Sequence, residues 1–289
     1  MAEQTIVPAG KKVWFITGAS RGFGVDIARD ALDRGDFVVA TARNPKTVIG
    51  ALGDQPNLLA LKLDVAVESD AAPAAKQAVD TFGHIDVLVN NAGYGLLGAV
   101  EESSDAEIRA VYDVNVFGLL SVTRAILPYM RAARRGHIMN ISSIGGYASY
   151  PGWGVYCSTK FAVEGLSEAM SLELAPLGIY ATVVEPGFFR TDFLSPSSLS
   201  STTDRIEDYA ETVGAMREFA AGADHKQPGD SKKLAKAILK LADSEKPPMR
   251  LPLGTDTIAK IRHKNAEVES ELGQWLEVAA STDHDDVAI

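Results

Sequence analysis

A doubly wound α/β fold, with helices on both faces of a mainly parallel seven-stranded sheet, is predicted by three features of the chain. Short apolar runs rich in Val and Ile alternate with longer stretches of helical periodicity. Those runs are apolar almost throughout, as suits strands covered on both faces. A glycine-rich turn joins the first run to the first helical stretch. The 289 residues, 46% of them hydrophobic, suffice for one large domain with a sizeable core.

Six strands follow in order: "KKVWFITGA" (11–19), "DFVVATAR" (36–43), "NLLALKLDV" (57–65), "HIDVLVNNA" (84–92), "GHIMNISS" (136–143) and "GIYATVVEPG" (178–187). A seventh runs through "MRLPLG" (249–254), where Pro252 places it at an edge because proline cannot donate to a ladder. Helical patterns span 22–34, 68–82, 104–132 and 152–177. The connection 44–57 reads as irregular, broken by Pro45, Gly50, Gly53 and Pro56. This organisation predicts a catalytic domain over 11–254, interrupted at 192–229 by a Ser-rich and then helical insertion. An insertion after a strand's carboxyl end sits where such sheets bind ligands, so it is expected to form a lid. A helical extension over 255–280 and a frayed tail, 281–289, complete the chain.

Charge and cysteine content narrow the function classes. The net charge of -10, from 28 basic and 38 acidic residues, leaves no electrostatic footprint for nucleic acid. The start, "MAEQTIVPAGKK", has no apolar core of a secretory signal, and no apolar run approaches the roughly 20 residues of a membrane span. Cys157 is the one cysteine, which excludes an internal disulfide and suits a reducing compartment, a cytoplasmic location and an inert packed thiol. His84, His137, His225, His263 and His284 show no metal-ligand spacing and read as surface residues; no metal is expected. Asn140 starts a glycosylation sequon, "NIS", but inside a strand expected to be buried.

Two ends of a site can be read from residue type and spacing. The turn "TGASRGFG" carries Gly18, Ser20, Arg21, Gly22, Phe23 and Gly24. Its glycines let backbone approach a pyrophosphate at a helix N-terminus, where free N–H groups and the dipole favour anions. The second strand ends in Ala42 and Arg43, where a site for NAD(H) usually has an acid. Arg43 and Arg21 would offer guanidinium groups to a ribose 2′-phosphate, so NADP(H) is expected in preference to NAD(H). At the other end, "YCSTK" sets Tyr156 and Lys160 one helical turn apart on one face. Lowering a phenol pKa from about 10 toward neutrality needs roughly 4 kcal/mol. An ammonium near 4 Å supplies about that at an effective dielectric of about 20. Ser143 ends the fifth strand, and Asn115 interrupts an apolar helical stretch.

Together the glycine turn, "NNAG", the helical Asn, "ISS", "YCSTK" and "EPGFFRT" resemble the short-chain dehydrogenase/reductase family over residues 11–191, and "TARNP" resembles its 17β-hydroxysteroid and retinol dehydrogenase branch. The resemblance implies a Rossmann-like fold and reversible hydride transfer between a nicotinamide cofactor and an alcohol/carbonyl pair. It assigns proton transfer to Tyr156, ribose binding to Lys160, carbonyl stabilisation to Ser143 and a water-holding role to Asn115. It further implies that Asp64 meets the adenine, that Asn91, with Ala92 and Gly93, lies on the adenosine side, and that Pro186, Gly187 and Thr191 border the nicotinamide. Tyr94, Leu96, Leu97, Tyr147, Trp153, Phe188, Phe189 and Phe193 are expected to supply a wall for an apolar or aromatic substrate. The family's habit of pairing through two long helices implies a homodimer or homotetramer. Two other readings stay open: a non-catalytic NADP-binding regulator, and a cofactor-free halohydrin dehalogenase. Lys160 and the three glycines oppose the second.

Overall fold

The computed structural model describes residues 5–284. The first half contains β1 (Val13–Ile16), α1 (Gly22–Asp33), β2 (Phe37–Ala42), α2 (Pro45–Leu52), β3 (Leu58–Lys62), α3 (Glu68–Phe82), β4 (Val87–Asn90) and β5 (Gly95–Leu97). Next come α4 (Asp105–Tyr112), α5 (Leu119–Ala133), β6 (Gly136–Ile141), α6 (Gly154–Leu174) and β7 (Ile179–Pro186). The remainder is β8 (Phe189–Arg190), β9 (Leu199–Ser201), α7 (Ala215–Ala223), β10 (Gly229–Asp230), α8 (Ser231–Ala242), β11 (Arg250–Leu253) and α9 (Thr255–Ala280). Residues 285–289, within the tail expected to fray, lie outside the described residues.

Seven strands form one parallel sheet in the order β11-β7-β6-β4-β1-β2-β3. The order reverses between β1 and β4, which opens a crevice at their carboxyl ends. β11 takes the edge position that Pro252 requires. Each sheet face is covered: Ile27, Ala31, Leu234 and Ile238 of α1 and α8 pack on one. Ala74, Ala78, Ile126, Met130 and Met170 of α3, α5 and α6 pack on the other.

Local chemistry corrects several sequence-based expectations. The connection 44–57 contains a helix, because Pro45 sits at its start and Asn44 caps it by accepting from Lys46 N at 3.1 Å. Proline is at home there, since that N–H has no helical partner. α8 is not among the helices predicted above, although Leu234, Ala235, Ile238 and Leu241 recur at helical spacing and Asp230 caps it by accepting from Lys232 N. The 29-residue stretch Asp105–Ala133 is long and apolar enough to cross a membrane by length and composition. Its apolar side, through Val111, Leu119, Val122, Ile126 and Met130, is however packed inside the fold. His137 is buried rather than superficial, and burial, helped by Lys12, pushes its imidazole down to about 4. Thr182 donates to Pro248 O, so His137 Nε2 donates to Thr182 Oγ1 at 2.9 Å. Asn140 is fully buried, bonded to Asn90 and Ser167, as the discounting of its sequon requires.

The insertion is pinned by a buried ion pair. Arg217 of α7 donates to Glu102 at 2.6 Å, and Glu102 also accepts from the backbone of Ala99 and Ile206. Burial alone would raise the Glu102 carboxyl, but these donors outweigh it and hold it down to about 2. The stability it contributes is therefore present above the ordinary carboxylate range and lost as pH falls through about 2. Glu102→Ala leaves a buried guanidinium unpaired and should cost about 3 kcal/mol. Denaturant unfolding at neutral pH checks this; a loss below about 1 kcal/mol would show the pair to be dispensable.

Candidate active site

The carboxyl ends of β1, β4, β6 and β7 face one cleft of about 700 Å³. At its phosphate end, β1 runs into Gly18 and α1 begins at Gly22, both with positive φ (65° and 56°). A Cβ on Gly18 would stand 3.0 Å from Ala92 Cα, so the turn and the β4 end touch through backbone. Gly24 does not line the cleft. It lies beneath the turn, where a Cβ would come within 2.5 Å of Gly18 O. The first N–H groups of α1 have no side-chain cap, which leaves them for an anion. Asn91 lines the cleft, yet its amide donates to Thr17 O and Gly18 O at 2.9 and 3.1 Å, bracing the glycine turn.

Ser20, Arg21, Phe23, Arg43 and Asp64 line the same end, and Ala92 and Gly93 continue toward the chemistry. The two arginines are not equivalent. Arg21 donates to Ser197 O of the insertion at 2.6 Å and so bridges the glycine turn to the segment above it. Arg43 is exposed at the end of β2, and no hydrogen bond or ion pair engages its guanidinium among the described residues. These features fit a dinucleotide: an uncapped helix start, a backbone cradle that excludes side chains, and a cation beyond the second strand.

At the chemical end, α6 presents Tyr156 and Lys160 one turn apart, and Ser143 follows β6. Ser143 is hydrogen-bonded to the Tyr156 phenol and accepts from Gly145 N at 3.0 Å. Lys160 Nζ donates to Ile141 O at 2.9 Å and lies 5.8 Å from the centre of the Tyr156 ring. This geometry corrects the expected action of the lysine. Burial pushes the phenol well above its ordinary value, and the opposing influence is the Ser143 hydrogen bond, not the ammonium. Burial also pushes Lys160 down to about 8, against the charge of Glu164. Desolvation wins because the ammonium is aimed at a backbone carbonyl beside the ring face. Tyr156 is thus a protonated acid at neutral pH.

Asn115 is placed behind the cleft wall, not on it. It sits in a π-helical turn, Asp113–Gly118, between α4 and α5. Its amide donates to Tyr94 O and Thr159 Oγ1 at 3.0 and 3.1 Å and accepts from Tyr94 N at 3.1 Å. The side chain therefore anchors the loop after β4 to α6; a widened turn of this kind is frequent at functional sites. A Cβ on Gly93 would come within 3.1 Å of Asn115 Oδ1 and 3.7 Å of Lys160 Nζ.

Pro186, Gly187 and Thr191 line the cleft beside Tyr156. The apolar wall is partly as expected: Tyr94, Trp153, Phe188, Phe189 and Phe193 line it. Trp153 meets the Tyr156 ring edge-on at 5.6 Å and stacks on Phe193 at 6.3 Å. Leu96 does not line it, being buried against Val111 and Val155, and Leu97 packs behind Trp153. Tyr147 points away and donates to Asn265 of α9 at 2.5 Å. Leu96 and Leu97 are consecutive in β5 and point to opposite faces, and both faces of this short strand are covered. Tyr150, Leu194 and Leu199 complete the wall instead. Sequence reasoning missed the last two because the Ser-rich insertion gave no periodic signal; pairing of β9 with β5 brings Leu199 over the site. Cys157 is a free, buried thiol that lines the cleft next to Tyr156, and burial pushes its pKa up.

Residues 12–201 match the family model described as short chain dehydrogenase. The 3-ketodihydrosphingosine reductase of Bacteroides thetaiotaomicron is 38% identical over 244 residues, 84% of this chain and 88% of that protein. A short-chain dehydrogenase structure from Streptomyces avermitilis superimposes with a TM-score of 0.88 at 40% identity, covering 96% of this chain and 100% of that one. The structure of ElxO with NADP bound aligns with a TM-score of 0.72 at 27% identity, covering 86% and 99%.

Proposed function

Because the chain belongs to the short-chain dehydrogenase/reductase family, and is a dehydrogenase/reductase enzyme with a nicotinamide cofactor and a small-molecule substrate, we propose that it uses NADP(H) to interconvert an apolar or aromatic ketone or aldehyde and its alcohol. One observation carries this reading. Tyr156, Ser143 and Lys160 line the same cleft as the uncapped α1 start and Arg43.

Bound NADPH supplies a hydride, and NADP⁺ accepts one. Gly18, Ser20, Arg21, Gly22 and Phe23 would hold its pyrophosphate, Arg43 its 2′-phosphate, Asp64 and Asn91 its adenosine end. Lys160, Pro186, Gly187 and Thr191 would hold its nicotinamide half. In reduction, Tyr156 gives its phenolic proton to the carbonyl oxygen as the carbonyl carbon gains the hydride. Ser143 donates to the same oxygen and stabilises the charge that develops there, a contribution of about 3 kcal/mol. Water is kept from that oxygen by Trp153, Phe193 and Leu194. Oxidation reverses the transfers and needs the phenolate; the positive charges of Lys160 and of oxidised cofactor favour it.

A keto substrate also gives the Bacteroides relative its name. A homodimer or homotetramer pairing through Asp105–Ala133 and α6 is part of the proposal, supported by the exposed Phe117, Phe161 and Leu172 on those helices. Following NADPH absorbance against a panel of carbonyl compounds tests the reading. Oxidation only with carbonyl present is expected, whereas binding without turnover on every member would favour a regulator.

A further inference from the structure

One helical turn beyond Lys160 lies a group of acids that the mechanism above does not use. Glu164 of α6 and Glu185 of β7 are 6% and 0% exposed. No N–H or O–H among the described residues donates to either oxygen of Glu185 or to Glu164 Oε1 within hydrogen-bonding geometry. An oxygen of each lies within 4 Å of the same nitrogen, Arg250 Nε, so the two carboxyls adjoin. Adjoining carboxyls hydrogen-bond to each other only when one is protonated.

Counting charges leads to the same conclusion. Arg250 of β11 reaches Glu164 Oε2 at 3.3 Å, Glu185 Oε1 at 3.8 Å and Glu168 Oε2 at 2.7 Å. One guanidinium thus faces three carboxyls, and two of those are out of water. A second bare negative charge in that position is costly. Apart from Lys160, one turn away on α6, the neighbours add no cation: the end of β6 brings the Ser142 hydroxyl, and the following turn brings Gly146, whose Cβ would stand 3.0 Å from Glu164 Oε1. Along α6 the charged groups are Lys160 on one side and Glu168 on the other.

We propose that Glu164 and Glu185 hold one proton in common, and that the charge left on Glu164 is a positioning charge that keeps the Lys160 ammonium protonated in its buried place. This rests on the assignment of Lys160 to the catalytic site. Burial and the neighbouring Glu164 push Glu185 up to about 7, and Glu164 is the group that opposes the fall of Lys160 to about 8. As pH rises through about 7 the pair gains a second negative charge, so the ammonium becomes harder to lose.

The test uses the full-length enzyme and reads the pH profile of kcat/KM. Glu164→Gln removes the charge that Lys160 feels, and its alkaline limb should move about one pH unit toward acid. Glu185→Gln keeps a donor to Glu164 and should move the limb less, in the same direction. A Glu164→Gln profile superimposed on wild type, with Tyr156→Phe still inactive, would overturn the proposal while leaving the redox reading intact. A second readout needs no turnover. Infrared spectra of the wild-type protein should show a protonated carboxylic acid at neutral pH that disappears by about pH 9 and is missing from Glu185→Gln. Absence of that band in wild type refutes the shared proton, even if Glu164→Gln does not fold.

Discussion

Tyr156→Phe is expected to lower turnover by about 10²- to 10⁴-fold, the range contributed by a positioned general acid. The substitution leaves the ring in place, so the edge contact with Trp153 at 5.6 Å and the packing on Phe193 at 5.5 Å survive. What is lost is the one protonated acid that shares a hydrogen bond with Ser143. A proton donated only in the transition state affects kcat, while binding of NADPH should change by less than about twofold. Steady-state kinetics beside a fluorescence titration with NADPH separates the two. Turnover within about tenfold of wild type would remove Tyr156 from the mechanism.

Arg43→Ala should weaken NADPH by about 10- to 100-fold and NADH by less than about threefold. A hydrogen bond to a charged group contributes about 1.5–3 kcal/mol, and only the phosphorylated ribose receives this one. Arg43 carries this prediction, and Arg21 does not, because the Arg21 guanidinium is already held by Ser197 O at 2.6 Å. That bond uses Nη2 alone and leaves the other N–H groups of Arg21 for the pyrophosphate beside the glycine turn. Direct titrations with both dinucleotides check the expectation. Equal losses for the two would place Arg43 outside the phosphate site.

Much of the fold was legible because the strands announce themselves. Buried parallel strands are continuous apolar runs, and a glycine turn between the first strand and a helix has few other uses. The helix at Pro45–Leu52 was not legible, since proline and glycine read as breakers unless the capping role of Asn44 is noticed. Similar limits apply at the site. Tyr156, Lys160, Ser143 and the glycine turn could be found because their spacing is local to one helix, one strand end or one turn. Glu164 and Glu185 could not, because they are 21 positions apart and β7 meets α6 only in the folded chain. Leu96 was misplaced for a related reason: the direction of a strand residue is fixed by register, and the pairing of β5 with β9 is invisible in sequence.

At Tyr156 the attraction of an ammonium for a phenolate stands against the cost of burying that phenolate. Tyr156 is 6% exposed, and Lys160 is turned toward Ile141 O. Desolvation therefore dominates, and the phenol stays an acid. That suits the reductive direction, where a proton must be given. The oxidative direction depends on additional positive charge near the phenol.

The most direct measurement of the central claim follows isotope from cofactor to product. With NADPH deuterated at the transferring position and a ketone that the enzyme turns over, the product alcohol should carry one deuterium on the former carbonyl carbon, and its hydroxyl proton should come from solvent by way of Tyr156. Tyr156→Phe should bind the labelled cofactor and form almost no labelled alcohol. Product without deuterium, or labelled product formed by the phenylalanine variant at the wild-type rate, would contradict hydride transfer completed by this tyrosine.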